Sequence, residues 1–384
     1  MAVFELGRTM SGAQKLQEPA FVQLSELASE GSGGRICFAT DDWFAPAEWM
    51  LKDTEPVFIP DKYTSYGKWM DGWETRRKRI AGHDWCIVRL AAPTAIKGIL
   101  VDTAHFTGNY APKFSIQGAR LTSAEENMIP ERGEEMIGTA CSEKDSKMMA
   151  QLKSEQWTKI VGMTALKPGY EDTRKQYFTI GNCNEVFTHL RVNMYPDGGI
   201  ARLRVFGEVQ PDLAAVKGKA IDLIGMLSGG QCLGFSNAHY GHPRNLIKPN
   251  RGLNMGDGWE TARRLDRPAI LTTNDKGILQ VPGCEWAIFK LCAKGFVDRI
   301  VVDTNHFKGN FPDNVKIEAA LLGDEQTVLS TQWKIMLDNS KLSAHKEHTF
   351  DDESLEFRGP CTHVRITMAP DGGISRVRMF GKVL

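Results

Sequence analysis

From Thr188 the chain reads THLRVNMYPDGGIARLRVFG. Leu190, Val192 and Met194 alternate with His189, Arg191 and Asn193, which is the period of a strand with one face buried. Pro196-Asp197-Gly198-Gly199 predicts a turn, because proline presets φ, aspartate bonds local backbone and glycine tolerates positive φ. The return, ARLRVFG, puts Leu203 and Val205 inward and completes a hairpin. GILVDT and RIVVDT are apolar on both faces and suit central strands. Many short strands with turn signals, and no alternating long helices, predict an all-β sandwich rather than a βαβ fold. FVQLSELAS, before Gly33, reads as a short helix or an edge segment.

The pattern occurs twice. Gly82 to Ala119, GHDWCIVRLAAPTAIKGILVDTAHFTGNYAPKFSIQGA, aligns without a gap on Gly283 to Ala320, GCEWAIFKLCAKGFVDRIVVDTNHFKGNFPDNVKIEAA. The hairpin returns from Thr362 as THVRITMAPDGGISRVRMFG, and DGWETRRKR from Asp71 returns from Asp257 as DGWETARRL. Blocks recurring in one order mark an internal duplication. The expected organisation is a first repeat over 1–209, a linker over 210–221 and a second repeat over 222–384. The first repeat carries an extra polar stretch, Leu121 to Leu152, expected to be a surface insertion.

Composition narrows the function. Lys+Arg and Asp+Glu both number 47 in 384 residues, so a general nucleic-acid binder is not expected, nor is docking on acidic membranes. No apolar run approaches the roughly 18 residues of a membrane helix. The start lacks the apolar core of a secretory signal. The eight cysteines are dispersed with no CxxC pair, which predicts reduced thiols and a cytoplasmic protein. A peroxisomal location stays open, although GKVL at the C-terminus is not an SKL-type signal.

The repeated DGWET-x-RR, D-T-x-H-F-x-G-N and H-x-R…PDGG-I-x-R-x-R motifs resemble those of the allantoicase family, from about Gly33 to Val383. The resemblance implies two tandem jelly-roll domains of the galactose-binding-like kind. It implies hydrolysis of allantoate to ureidoglycolate and urea, and homo-oligomers. Other readings are a catalytically inactive member, a carbohydrate- or small-ligand-binding module, and a hydrolase acting on ureidoglycolate.

Losing urea from the central carbon of allantoate requires a proton for the departing nitrogen and activation of water. The carboxylate calls for a guanidinium, and the ureido groups call for donors and acceptors. The first candidate is the Asp71–Arg77 block and its copy from Asp257. Glu74 or Glu260 would be the acid/base, with Asp71, Arg77, Asp257 and Arg264 on the substrate. The bland reading packs Trp73 in the core and pairs Glu with Arg to close the loop. Arg76 becomes Ala262, so that guanidinium is not common to both copies.

The second candidate is Asp102 with His105, mirrored by Asp303 with His306, the aspartate orienting an imidazole that exchanges protons near neutrality. Asn109 and Asn310 in the same loops would bind a ureido group. Against this, histidine would cap a turn and aspartate would satisfy loop amides. The third is the cationic hairpin, with Arg202 and Arg376 as substrate ligands, set against a salt-bridged outer face. His239 and His242 form an HxxH pair with no third ligand, so no metal ligand is assigned and no cofactor is firmly expected. A divalent ion, structural calcium included, has only weak support. Asp41 and Asp42 read as loop residues.

Overall fold

The computed structural model describes residues 18–181, 185–323, 327–328 and 331–384; residues 1–17 of the expected first repeat, and Cys183, lie outside them. Glu18–Gln210 and Pro211–Leu384 form two compact units, each a jelly-roll β-sandwich. The first contains β1 (Ser25–Glu26), β2 (Arg35–Ala39), β3 (Asp84–Asp102), β4 (Lys113–Ala119), β5 (Thr158–Ala165), β6 (Lys175–Thr179), β7 (Phe187–Tyr195) and β8 (Arg202–Val209). The second repeats them as β9 (Ile221–Asp222), β10 (Gln231–Phe235), β11 (Glu285–Asp303), β12 (Asn314–Ala320), β13 (Lys334–Lys341), β14 (Glu347–Asp351), β15 (Cys361–Ala369) and β16 (Arg376–Val383).

One strand builds both layers of the first sandwich. The first half of β3 pairs with β2 and β7, and β7 continues to β4 and β5. The second half pairs with β6 and β8, and β8 continues to β1. The pairing with β7 breaks register where Phe187 faces Thr94 and His189 faces Arg89, and there the strand crosses between layers. The facing sides close one core. Val88, Ile96, Ile99, Val101, Leu190, Val192, Met194, Leu203 and Val205 are all buried in it. Leu190, Val192, Met194, Leu203 and Val205 point into it as expected, and GILVDT is central, but β7 is not half-exposed: His189, Arg191 and Asn193 on its other face are buried as well. β11 serves the same purpose in the second unit, pairing with β10 and β15 and then with β14 and β16.

This bend positions the site. Asp84 pairs with Met194 and Asp102 with Arg202, while only the PDGG turn separates β7 from β8. Both ends of β3 therefore meet at one end of the sandwich. The loops after β2, after β3 and after β7 converge there, and these loops, with Asp102 at the end of β3 and Arg202 at the start of β8, carry the candidate site residues of the first repeat.

The stretch at Leu121–Leu152 is more than a loose insertion. It holds α1 (Ser123–Glu126), capped by Thr122, and α2 (Glu143–Gln151), capped by Ser142. Met149 is buried against Phe38 and Ile87, with Ile129, Cys141 and Leu152 packed around it, so the segment straps the outer face of β2 and β3. Phe21 and Val22, before β1, form a short 3-10 turn buried against Phe206. The described cysteines are free thiols. Among the described residues no helix is long and apolar enough to cross a membrane.

Candidate active site

Trp73–Glu74 is a two-residue strand paired with Gly199–Ile200 of the PDGG turn. The alternation of a strand sends Trp73 into the core, where its Nε1–H donates to the Asp41 carbonyl at 2.9 Å. Glu74 takes the opposite face. Its backbone is clasped by Phe44 and Ala45, which donate to its carbonyl at 3.3 and 3.2 Å, while its N–H donates to Ala45 at 3.0 Å. Its carboxyl accepts one side-chain N–H, from Asn109 at 2.6 Å. Burial pushes the Glu74 carboxyl up to about 7, against the opposing pull of the Asn109 bond and the Arg77 charge. A carboxyl so poised both gives and takes a proton at neutral pH.

The Asn109 loop is held by Phe106, fully buried and wedged against the turn. Gly199 has to be glycine here, because a Cβ would stand 2.1 Å from the Phe106 ring. Asp197 of the turn accepts the Lys78 backbone N–H at 2.8 Å, so it anchors the DGWET loop rather than its own turn. Arg77 reaches Asp197 only at 3.6 Å and its side chain is 65% exposed, which leaves the guanidinium open to an anion beside Glu74.

Other candidates are committed elsewhere. Arg202 donates to the carbonyls of Thr54, Asp71 and Ala201 and to the Asp71 carboxylate at 2.7 Å, with the pair almost wholly buried. Burial alone would raise the Asp71 carboxyl, but Lys52 and Arg202 outweigh it and hold it below its ordinary range. Asp71 and Arg202, expected on the substrate, are committed to each other in a buried ion pair. The second repeat matches: Asp257 binds Lys248 at 2.7 Å and Arg376 at 2.6 Å, and Arg376 also binds both oxygens of Asn250.

The pairing of aspartate with histidine is likewise corrected. Asp102 accepts the Ala104 N–H at 2.8 Å and pairs with Arg174 at 2.5 Å. His105 has φ +68°, and the left-handed backbone swings its ring outward to stack on Phe58 and meet the Pro56 carbonyl at 3.3 Å. Asp303 is taken by the Asn305 N–H and Arg251, while His306, with φ +72°, binds the Gly252 carbonyl at 2.8 Å. Neither aspartate orients its histidine. Asn310 donates to Glu260 at 2.5 Å, repeating the Asn109 contact.

Arg264 is one position out of step with Arg77. Its N–H donates to Asp371 as that of Lys78 does to Asp197, and its guanidinium is tied to Asp266 and Glu285 at 2.6 and 3.0 Å. Arg263 is therefore the counterpart of Arg77. His242 accepts the Arg244 N–H at Nδ1 and caps a 3-10 turn, while His239 lies edge-on to Tyr240. Among the described residues no group of three or more His, Cys, Asp or Glu gathers as a metal site. An open hollow of about 500 Å³, lined by His83, Lys113, Met163 and Tyr195, does not include Glu74. Its lining holds no paired acid and base, so the raised Glu74 carboxyl, and not the hollow, is the candidate centre. Sequence reasoning passed over Lys52, Arg174 and Arg132, whose partners lie far away along the chain.

A family model described as the allantoicase repeat matches residues 25–210 and 221–384. The chain belongs to the allantoicase family. Among relatives within it, the probable allantoicase of Rhizobium meliloti (strain 1021) is 43% identical over 364 residues, covering 93% of each chain. Probable allantoicase 1 of Burkholderia mallei (strain ATCC 23344) is 42% identical over 360 residues, covering 92% of this chain and 93% of the relative. The crystal structure of allantoicase from Saccharomyces cerevisiae superposes with a TM-score of 0.68 at 33% identity, covering 92% of each chain. The two allantoicase repeats of this chain are not equivalent around Glu74 and Glu260. Asp42 and Arg76 flank the Glu74 loop, where the second repeat has Ala238 and Ala262. Besides its bond to Glu260, the Asn310 amide has the Met255 sulfur at 3.7 Å, a contact in addition to the one that Asn109 makes with Glu74.

Proposed function

We propose that this chain hydrolyses allantoate to ureidoglycolate and urea, with Glu74 of the first repeat as its acid and base. The reading is carried by the Glu74 carboxyl, buried, poised near neutrality and bonded to Asn109 beside an open guanidinium, in a member of the allantoicase family. Arg77 binds the substrate carboxylate, and Asn109 orients a ureido group as well as the acid.

Protonated Glu74 donates to the departing urea nitrogen as the carbon–nitrogen bond breaks. The lone pair of the remaining ureido nitrogen fills the vacancy on carbon as a carbon–nitrogen double bond. Water then adds to that carbon and gives its proton to the Glu74 carboxylate, which restores the acid. The test is urea release from allantoate by the purified, folded chain. Sustained release supports the reading. No release, under conditions in which an active relative turns over, replaces it with a chain that keeps the fold without the activity.

A further inference from the structure

The segment that only the first repeat possesses ends its path against the loop that clasps Glu74. Arg132 lies midway along it. Its guanidinium bonds both oxygens of Asp42, at 2.9 and 3.4 Å, and both oxygens of Glu48, at 2.9 and 2.7 Å. Around it the strap bonds backbone to backbone. Asp42 donates to Thr139, Gly138 to Trp43 and Cys141 to Thr40, each at 3.0 or 3.1 Å. The loop so gripped, Thr40 to Glu48, is the one whose Phe44 and Ala45 hold the Glu74 backbone. Asp41 in the same loop binds the Arg76 N–H and guanidinium, two residues beyond Glu74. Asp42 is itself buried, and burial raises its carboxyl despite Arg132, so this arm of the bridge lies away from bulk water while Glu48 forms the outer arm.

The second repeat supplies the contrast. Its loop also clasps the acid, with His239 and Tyr240 donating to the Glu260 carbonyl at 3.1 Å. Ala238 stands where Asp42 stands, and no counterpart of Arg132 reaches it among the described residues. We infer that Arg132 is a positioning residue for the reaction: by clamping Asp42 and Glu48 it fixes the loop that holds Glu74 and keeps water from its carboxyl. The inference rests on the assignment of Glu74 as the acid. Arg77 and Asn109 are the groups that act on that carboxyl electrostatically and by hydrogen bonding, and neither touches Arg132.

The experiment uses the full chain with Arg132→Met, Arg132→Lys and Asp42→Asn, and Arg264→Met as control, since Arg264 also bridges two carboxylates. Urea release from allantoate is followed between pH 5 and 9, and the Glu74 carboxyl is titrated by its infrared carbonyl band, with Glu74→Gln as the blank. For Arg132→Met, kcat falls about tenfold while KM stays within about twofold, because geometry at the acid is lost and not the anion contact. The alkaline limb and the carboxyl titration both move to lower pH by about half a unit or more, as water reaches Glu74. Arg132→Lys recovers part of each change. Arg264→Met moves neither, whatever it costs in melting temperature. If Arg132→Met does not fold, Asp42→Asn, which weakens the same bridge, is read in its place. An unmoved profile and titration, or equal movement in Arg264→Met, overturns the inference. If the parent chain releases no urea, the substrate assignment fails on its own, and the carboxyl titration alone decides the role of Arg132.

Discussion

Asn109 donates its side-chain N–H to Glu74 across 2.6 Å, and Asn310 does the same for Glu260 in the second repeat. The contact joins two motifs that are 35 residues apart in the first repeat, and it survived duplication. The surroundings did not: Asp42 and Arg76 of the first repeat are Ala238 and Ala262 in the second.

Glu74→Gln is expected to lower urea release by about 10²–10⁴, the usual worth of one acid/base group. Gln keeps an oxygen for Asn109, so the melting temperature at pH 5, where Glu74 is protonated in the folded chain, should stay within a few degrees. Glu260→Gln should retain activity within about threefold. Steady-state assays of both variants check this, and equal losses would place the chemistry in both repeats.

The raised Glu74 carboxyl links stability to pH. Its ordinary value is 4.5 and its folded value about 7, so between them the folded chain holds a proton that the unfolded chain releases. Stability from this group is fully present below about 4.5 and falls as pH rises through about 7. Relative to Glu74→Gln, the parent chain should lose up to about 3 kcal/mol over that interval. Denaturant titrations of both at pH 5 and pH 7.5 measure the difference; a constant gap means that the carboxyl is not buried in solution.

Arg202 and Asp71 form a buried pair, so removing Arg202 takes away one of the two cations that balance the Asp71 carboxylate, Lys52 being the other, and leaves buried carbonyls without their donor. Arg202→Met should cost about 3–5 kcal/mol, and Asp71→Leu with Arg202→Met should recover part of it. KM for allantoate in the folded fraction should not change. A raised KM at near-parental stability would return Arg202 to the role of ligand.

Gly199 and Phe106 should behave as one unit. Gly199→Ala drives a methyl into the Phe106 ring, and Phe106→Ala leaves a cavity worth about 3–5 kcal/mol. Because the ring that clashes is gone in the double variant, its loss should be smaller than the sum. Chemical denaturation of the three variants tests the coupling, and additivity would mean the turn and the ring move apart freely.

Much of the fold was legible along the chain because its causes are local. The alternation at Leu190, Val192 and Met194 needed only neighbouring residues, and the duplication needed only comparison of the chain with itself. The pairings that decide the site are not local. Asp71 meets Arg202 across 131 positions and Asp102 meets Arg174 across 72, and no period or motif announces such partners. His105 and Asp102 looked like a pair because they are three positions apart in sequence, but a positive φ turned the ring away. The strap was hidden for a different reason. It occurs once, so the repeat that exposed everything else made it look expendable.

The crossing of β3 between layers, near Leu90 to Thr94, ties the two halves of each sandwich to one continuous ladder. Deleting a single residue at this corner would therefore do more than shorten a strand. It would reverse which side of the downstream half faces oil and which faces water, carrying Val101 outward and turning the Asp102 end away from Arg202. The corner acts as the phase setting for the end of the sandwich that carries Glu74, although it lies in the middle of β3, away from both Asp84 and Asp102.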